Sequence, residues 1–194
     1  MLNAAMIAAR VAFFTLLLTG VAYPLLVTGL AQLLFPYQAG GSLVWDDRDR
    51  LVGSALIGQR FSRPAYFQPR PSAAGESGYD PTASGGSNLG PTSQKLRDRA
   101  ISDLERLKKA NPEAAAAVPA ELLTASASGL DPHLSLAGAL WQAPRVAKAR
   151  GVAPERLSAL VRSSMEDRDW GFLGEPRVNV LLLNLALDRH FGRP

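Results

Sequence analysis

The feature that most limits what this chain can fold into is a long stretch without charge. Between Arg10 and Asp46 there is no Asp, Glu, Lys or Arg, and Val11 to Phe35 reads VAFFTLLLTGVAYPLLVTGLAQLLF. As a helix these 25 residues extend about 37 Å at 1.5 Å per residue. A hydrocarbon core of about 30 Å needs roughly 20 apolar residues, so the segment spans a bilayer with some tilt. A soluble core helix of that length carries a polar face, and this one has none. A cleaved signal has a shorter apolar run, about 7–15 residues, and a small-x-small cleavage site. Here the run is longer and ends in Leu-Leu-Phe-Pro-Tyr, which predicts an uncleaved anchor.

Within the span, Gly20, Pro24 and Thr28 recur every four residues and form a stripe of small side chains. Small residues let a second helix approach closely. The stripe is a docking face for a partner subunit or, equally, the ordinary Gly and Pro content of membrane helices. Tyr37 and Trp45 follow the span, where amphipathic aromatics sit at headgroup level. Sidedness is open on charge alone. Arg10 on one flank faces Arg48 and Arg50, with three aspartates, on the other, which tilts the balance only slightly toward a cytoplasmic N-terminus.

The rest of the chain holds all 17 acidic residues and 20 of the 21 Lys+Arg, a net +3. That mild excess is spread out and makes no nucleic-acid footprint, which requires clustered Lys and Arg on one face. There is no cysteine and there are only two histidines, His133 and His190, so disulfide scaffolds, thiol catalysis and Cys- or His-rich metal sites are excluded. Apolar periodicity predicts helices over Ser93–Lys109, with Thr92 or Ser93 as cap, and over Leu136–Arg150, as two short helices divided at Pro144 and stopped by Gly151. Further helices are expected over Pro154–Asp167 and over Arg177–His190, the last apolar nearly all round and central to the core. Ser42–Trp45 and Arg50–Val52 flank a polar turn and read as a hairpin. Ala55–Ile57 and Leu122–Ala127 read as further strands. Arg63–Pro91 is a long Gly/Pro/Ser-rich loop of a length that is often functional. The expected fold is α+β: a tail at 1–9, a transmembrane helix over 10–36, and one mixed domain over 37–194.

Four runs invite a chemical reading. Ala83–Thr92 is Gly-rich and leads into a helix, but it lacks the Gly-Lys-Ser/Thr ending of a phosphate loop. Asp131 and His133 stand among serines and raise the alternative of a membrane-anchored envelope hydrolase. Yet no G-x-S-x-G elbow occurs, and Asp131-Pro132 reads as a turn with Ser135 capping the next helix. Asn179 and Asn184 are amides in an apolar helix and are expected to anchor loops by hydrogen bonds. Arg145, Lys148 and Arg150 face an acidic partner, lipid headgroups or, by default, solvent.

Taken together and in order, Tyr23–Leu26, Gly53–Gln59, Tyr66-Phe67, Arg70–Ser72, Ala83–Leu89, Thr124–Asp131, Pro144–Arg150 and Asn184–Asp188 resemble the KdpC family, one of the component families of the Kdp potassium-transporting ATPase. The resemblance covers almost the whole chain. It implies a subunit of a high-affinity potassium pump of the bacterial inner membrane, with a cytoplasmic N-terminus, one span and an extracytoplasmic domain. The implied partners are a channel-like potassium-binding subunit, a P-type ATPase subunit and a small fourth subunit, besides membrane lipid. ATP and potassium are then handled by those partners, and this chain is not an enzyme by itself. The family is described as a catalytic chaperone that raises the ATP affinity of the ATPase subunit through a glutamine, which Gln142 matches best. An external domain, however, is separated from cytoplasmic ATP by about 30 Å of hydrocarbon.

Overall fold

The computed structural model describes residues 2–194. The chain divides into two compact units, the first ending at Val44 and the second running Trp45–Pro194.

The first unit is one continuous helix from Leu2 to Leu34, apolar enough to cross a membrane and buried nowhere along its length. It consists of α1 (Leu2–Leu17), a π turn (Leu18–Ala22) and α2 (Tyr23–Leu34), followed by the single turn α3 (Pro36–Ala39). Pro24 explains the π turn. Its ring displaces the carbonyl four residues back, at Gly20, and contributes no N–H. Widening the preceding turn lets the Tyr23 N–H reach Leu18 O, and the helix continues past the proline. Gly20 lies in the π turn, Pro24 in the first turn of α2 and Thr28 one turn further, all exposed.

The second unit is mixed α and β. β1 (Leu43–Trp45), inside which the boundary falls, and β2 (Leu51–Ser54) form the expected hairpin. The Asp46 carboxylate shapes its turn by accepting from the Arg48 and Arg50 N–H groups at 2.8 and 3.0 Å. No regular element then occurs until α4 (Gln94–Ala110), which starts at Ser93 with its hydroxyl accepting from Leu96 N. The second sheet is antiparallel, in the order β3 (His133–Leu134), β5 (Arg177–Asn179), β4 (Met165–Glu166), with Val178 facing both Leu134 and Met165. α5 (Leu136–Arg150), α6 (Pro154–Ser163) and α7 (Val180–Phe191) pack their apolar faces with Phe67, Leu134, Trp141 and Val178 into one core.

Four expectations are corrected. α5 is one helix through Pro144, because Ala139, Trp141, Gln142, Val146 and Ala147 on both sides of the proline are buried. That shared burial outweighs a proline penalty of about 3 kcal/mol. Gly151 does stop the helix, in the left-handed conformation. α6 ends at Ser163, and Met165 leaves the helical stripe to pair with Val178. Residues 177–179 are strand rather than helix, with the Asn179 side chain capping α7 by accepting from Leu182 N. Neither Ala55–Ile57 nor Leu122–Ala127 is a strand. The first is a turn, and the second is a 3-10 turn at Ala120–Leu122 followed by irregular chain that bonds to other loops.

Candidate functional site

The most organised polar structure in the second unit surrounds five consecutive residues of the long loop, Pro64–Gln68. A loop buried against helices brings backbone groups that water no longer reaches, and each needs a partner. Side chains of α5 and α7 supply them in sequence. Arg145 donates to Pro64 O and, at 3.1 Å, to Tyr66 O. Arg150 donates to Ala65 O at 2.7 Å. The Asn184 amide accepts from Phe67 N at 2.9 Å and donates to Phe67 O at 3.0 Å. The Gln142 amide accepts from Gln68 N at 2.9 Å and donates to Gln68 O at 2.8 Å. Two amides thus read two adjacent peptide units as a neighbouring strand would, and two guanidiniums hold the carbonyls before them. Phe67 is thereby seated in the core with no exposure.

The expected loop anchoring by Asn184 and Asn179 is found, the latter donating to Ala55 O at 2.7 Å. The default of solvent for the basic triplet is overturned for two of its members. Arg150 has 2% of its side chain exposed, pairs with Asp188 at 2.8 Å, stacks over the Tyr66 ring at 4.8 Å and donates to Gly192 O. Arg145 finds carbonyl and amide oxygens, and burial pushes its pKa down to about 10, so it stays charged at neutral pH. Lys148 alone stays outside, paired with Glu113. A donor aimed at a carbonyl some 80 residues away leaves no periodic trace, so nothing in the spacing of Gln142, Arg145 and Arg150 marked the cradle in advance.

The network continues to the C-terminal end. Tyr66 donates its hydroxyl to Asp188 at 2.9 Å; burial and then the Asp188 carboxylate raise its pKa. Arg193 donates to Asp46 at 2.8 Å, and Arg50 makes a two-pronged bond to the same oxygen. The Arg193 and Arg50 guanidiniums hold the Asp46 carboxyl well below the usual range. Two clefts border the cradle. One of about 450 Å³ includes Arg60, Gln68, Tyr79, Arg106 and Gln142; the other, about 340 Å³, includes Asp46, Tyr66, Asn184, Asp188 and Arg193. Burial pushes the Tyr79 phenol up to about 12, against the pull of Arg60 and Arg106.

The other sequence candidates serve loops. The Gly-rich run and the Ser-rich run meet each other: Gly85 N and the Ser84 hydroxyl both donate to Ser128 O, at 2.8 and 3.0 Å. A Cβ on Gly86 would lie 2.8 Å from Ala127 O, and Gly129, at φ +67°, has Gly85 O 2.7 Å from where its own Cβ would be. Both positions therefore need glycine. Asp131 accepts from His133 N at 2.9 Å, forming the expected turn, and pairs with Arg70 at 3.3 Å. Burial raises the Asp131 pKa, but its bonds to His133 and the Arg70 charge outweigh this and leave it lowered. His133 Nδ1 lies 3.6 Å from Asp131, while nearby hydroxyls are spent elsewhere, Ser84 on Ser128 O and Ser135 on Glu121. Ser135 also caps α5 by accepting from Gly138 N, as expected. Among the described residues no three His, Asp or Glu side chains gather as a metal site requires.

With this geometry established, comparison with known proteins is informative. A family model described as KdpC, the c chain of the K+-transporting ATPase, matches residues 5–189. The chain is 66% identical over 185 residues to a potassium-transporting ATPase KdpC subunit of Myxococcus xanthus, covering 95% of this chain and 87% of that protein. It is 59% identical to the protein of the same name in Rhodospirillum rubrum, covering 90% of each. The similarly named protein of Geobacter sulfurreducens is 54% identical over 90% of this chain and 91% of its own length.

Proposed function

The chain belongs to the KdpC family of the K+-transporting ATPase, and from that membership we propose that it is a non-catalytic accessory subunit of an ATP-driven, high-affinity potassium uptake pump. The observation that carries this reading beyond the family is how the second unit uses its buried polar groups. Arg145, Arg150, Gln142 and Asn184 are occupied with the chain's own backbone and with Asp188, as in a rigid scaffold. Its partners are a channel-like potassium-binding subunit, a P-type ATPase subunit and a small fourth subunit. On this reading the chain is a single-pass protein of the bacterial inner membrane, with a cytoplasmic N-terminus and an extracytoplasmic domain from residue 37; the support is the apolar helix Leu2–Leu34, long enough to span. Gly20, Pro24 and Thr28 are its docking face for a partner helix; beyond a leucine methyl 3.7 Å away, nothing of the chain itself crowds a Cβ placed on Gly20.

A chaperone role that raises ATP affinity is indirect on this reading. The Gln142 amide is committed to Gln68, and about 30 Å of hydrocarbon separates an external domain from cytoplasmic ATP. Gln142 shapes the subunit that meets the ATPase assembly, without touching nucleotide. Purifying the pump with and without this chain is the deciding experiment. Subunit association and potassium-stimulated ATP hydrolysis are expected to fall without it; a complex that keeps both in full overturns the proposal. Direct nucleotide contact is tested by titrating the full-length chain with a fluorescent ATP analogue, for which no saturable binding is expected.

A further inference from the structure

One feature of the second unit is used by neither the cradle nor the core. The chain between β4 and β5 rises into a tight hairpin, bridged at Asp169 and Leu173, whose N–H and C=O groups bond each other in both directions at 2.9 Å. Its tip is Trp170-Gly171-Phe172. Trp170 is 86% exposed, Phe172 67% and Leu173 46%. Trp170 is also held at φ +53°, a left-handed conformation that bulky residues rarely adopt. The folded unit gains nothing from this strained, solvated indole, and strain that the fold does not use marks a working surface.

The base of the hairpin is as informative as its tip. Arg168 pairs with Glu175 at 2.9 Å, and Arg177 pairs with Glu166 at 3.2 Å and with Asp169 at 3.4 Å. Both arginines of the base are thus paired, but Glu166, Asp167, Asp169 and Glu175 outnumber them, so the base is net acidic and suits a zwitterionic surface better than an anionic one. Above the base stands a compact apolar tip of three side chains. A stable protein interface takes about 800 Å² and 20–30 residues on each side. Three side chains fall far short of that, but they suffice for a weak contact when the surface they meet is already held nearby. The chain's own apolar helix supplies that condition, because tethering raises the effective concentration of the bilayer. An indole with one polar N–H beside Phe and Leu is the composition that favours the headgroup level of a membrane.

We propose that the Trp170–Leu173 tip inserts into the lipid headgroup interface and gives the domain a second, reversible attachment to the bilayer in which its helix is anchored. The proposal rests on the anchor reading above. The chain has no native cysteine, so Phe172→Cys and the exposed control Lys108→Cys each provide one labelling site. Each full-length chain, labelled with an environment-sensitive fluorophore, is placed in phosphatidylcholine nanodiscs. The label at 172 is expected to shift to the blue, to be quenched by brominated lipid, and to be shielded from aqueous iodide about threefold relative to the label at 108. Equal iodide quenching at both positions overturns the proposal. So does shielding at 172 that arises only once the other pump subunits are added, since a protein surface then covers the tip. Retention of the chain in the nanodisc reads the anchor separately, so loss of the tip contact and loss of the anchor are distinguishable. In a second variant, Trp170→Gly, the left-handed strain is relieved. It is expected to melt no lower than the parent while shielding at 172 is lost; a lower melting temperature with unchanged shielding makes Trp170 a structural residue and overturns the proposal.

Discussion

The two units of this chain solve opposite problems. Along Leu2–Leu34 the apolar side chains face outward and no residue is buried. In the second unit apolar side chains fill the core, and the buried side chains of Gln142, Asn179, Asn184 and Arg150 each reach backbone. The difference lies in the solvent each is built for. In hydrocarbon, a helix satisfies its own backbone and needs nothing else. In water, a domain with 39 residues of irregular chain between β2 and α4 must find partners for backbone that no strand or helix pairs, and it does so with side chains. Even the irregularity within the long helix of the first unit, the π turn before Pro24, is resolved locally, whereas the cradle spans 74 to 117 residues of sequence between Gln142 and Gln68 and between Asn184 and Phe67.

That contrast yields predictions of decreasing size. Arg150→Ala leaves Asp188, Ala65 O and Gly192 O short of a buried cation, and is expected to destabilise the second unit by about 3–5 kcal/mol in urea unfolding of the full-length chain. Arg150→Lys recovers only part, since an ammonium cannot copy the planar fork or its stacking on Tyr66. A loss below about 1 kcal/mol for Arg150→Ala would mean that the cradle does not hold the loop. Leu25→Arg puts a charge within the span, and is expected to cost about 2.5–3.5 kcal/mol in a membrane-insertion assay without shifting the unfolding of the second unit. If that unfolding shifts as well, the two units are not energetically separate. Asn184→Leu and Gln142→Leu each leave an adjacent N–H and C=O pair unsatisfied, for about 2–3 kcal/mol by the same unfolding measurement. Equal losses for the two would support a shared anchoring role.

The smallest effect is a pH dependence. The folded Asp46 carboxyl sits below its unfolded value, so the stability it contributes is full above the ordinary carboxylate range and is lost as pH falls toward the folded value. Stability of the second unit should therefore be flat from about pH 7 to 5 and decline below about pH 4. Asp46→Asn should flatten that decline; an unchanged acid limb would assign it to other carboxylates.

Some of this organisation is written locally. The anchor is legible because its signal, 25 uncharged residues in a row, depends on nothing outside itself. The Ser93 and Ser135 caps, the Gly151 stop and the Asp131-Pro132 turn are legible for the same reason, each being short-range backbone chemistry. Asn179 and Asn184 announced themselves as loop anchors because an amide in an apolar helix has to find a partner. Their partners, Ala55 and Phe67, were not announced. Strands of two or three residues such as β4 and β5 are too short to show a period, so their stretches read as helix.

By itself, then, the sequence determined a membrane helix, an α+β domain, the places where most helices begin and stop, and membership of a family. Only the tertiary structure decided that Pro144 sits inside one helix and that Arg145, Arg150 and Gln142 turn inward to hold Pro64–Gln68. The tertiary structure also decided that Trp170 is left outside in a strained conformation. The physical reason is range. Hydropathy, caps and turns act over a few residues and survive in a linear reading. Burial and long-range hydrogen bonding act between residues that become neighbours only when the chain has folded.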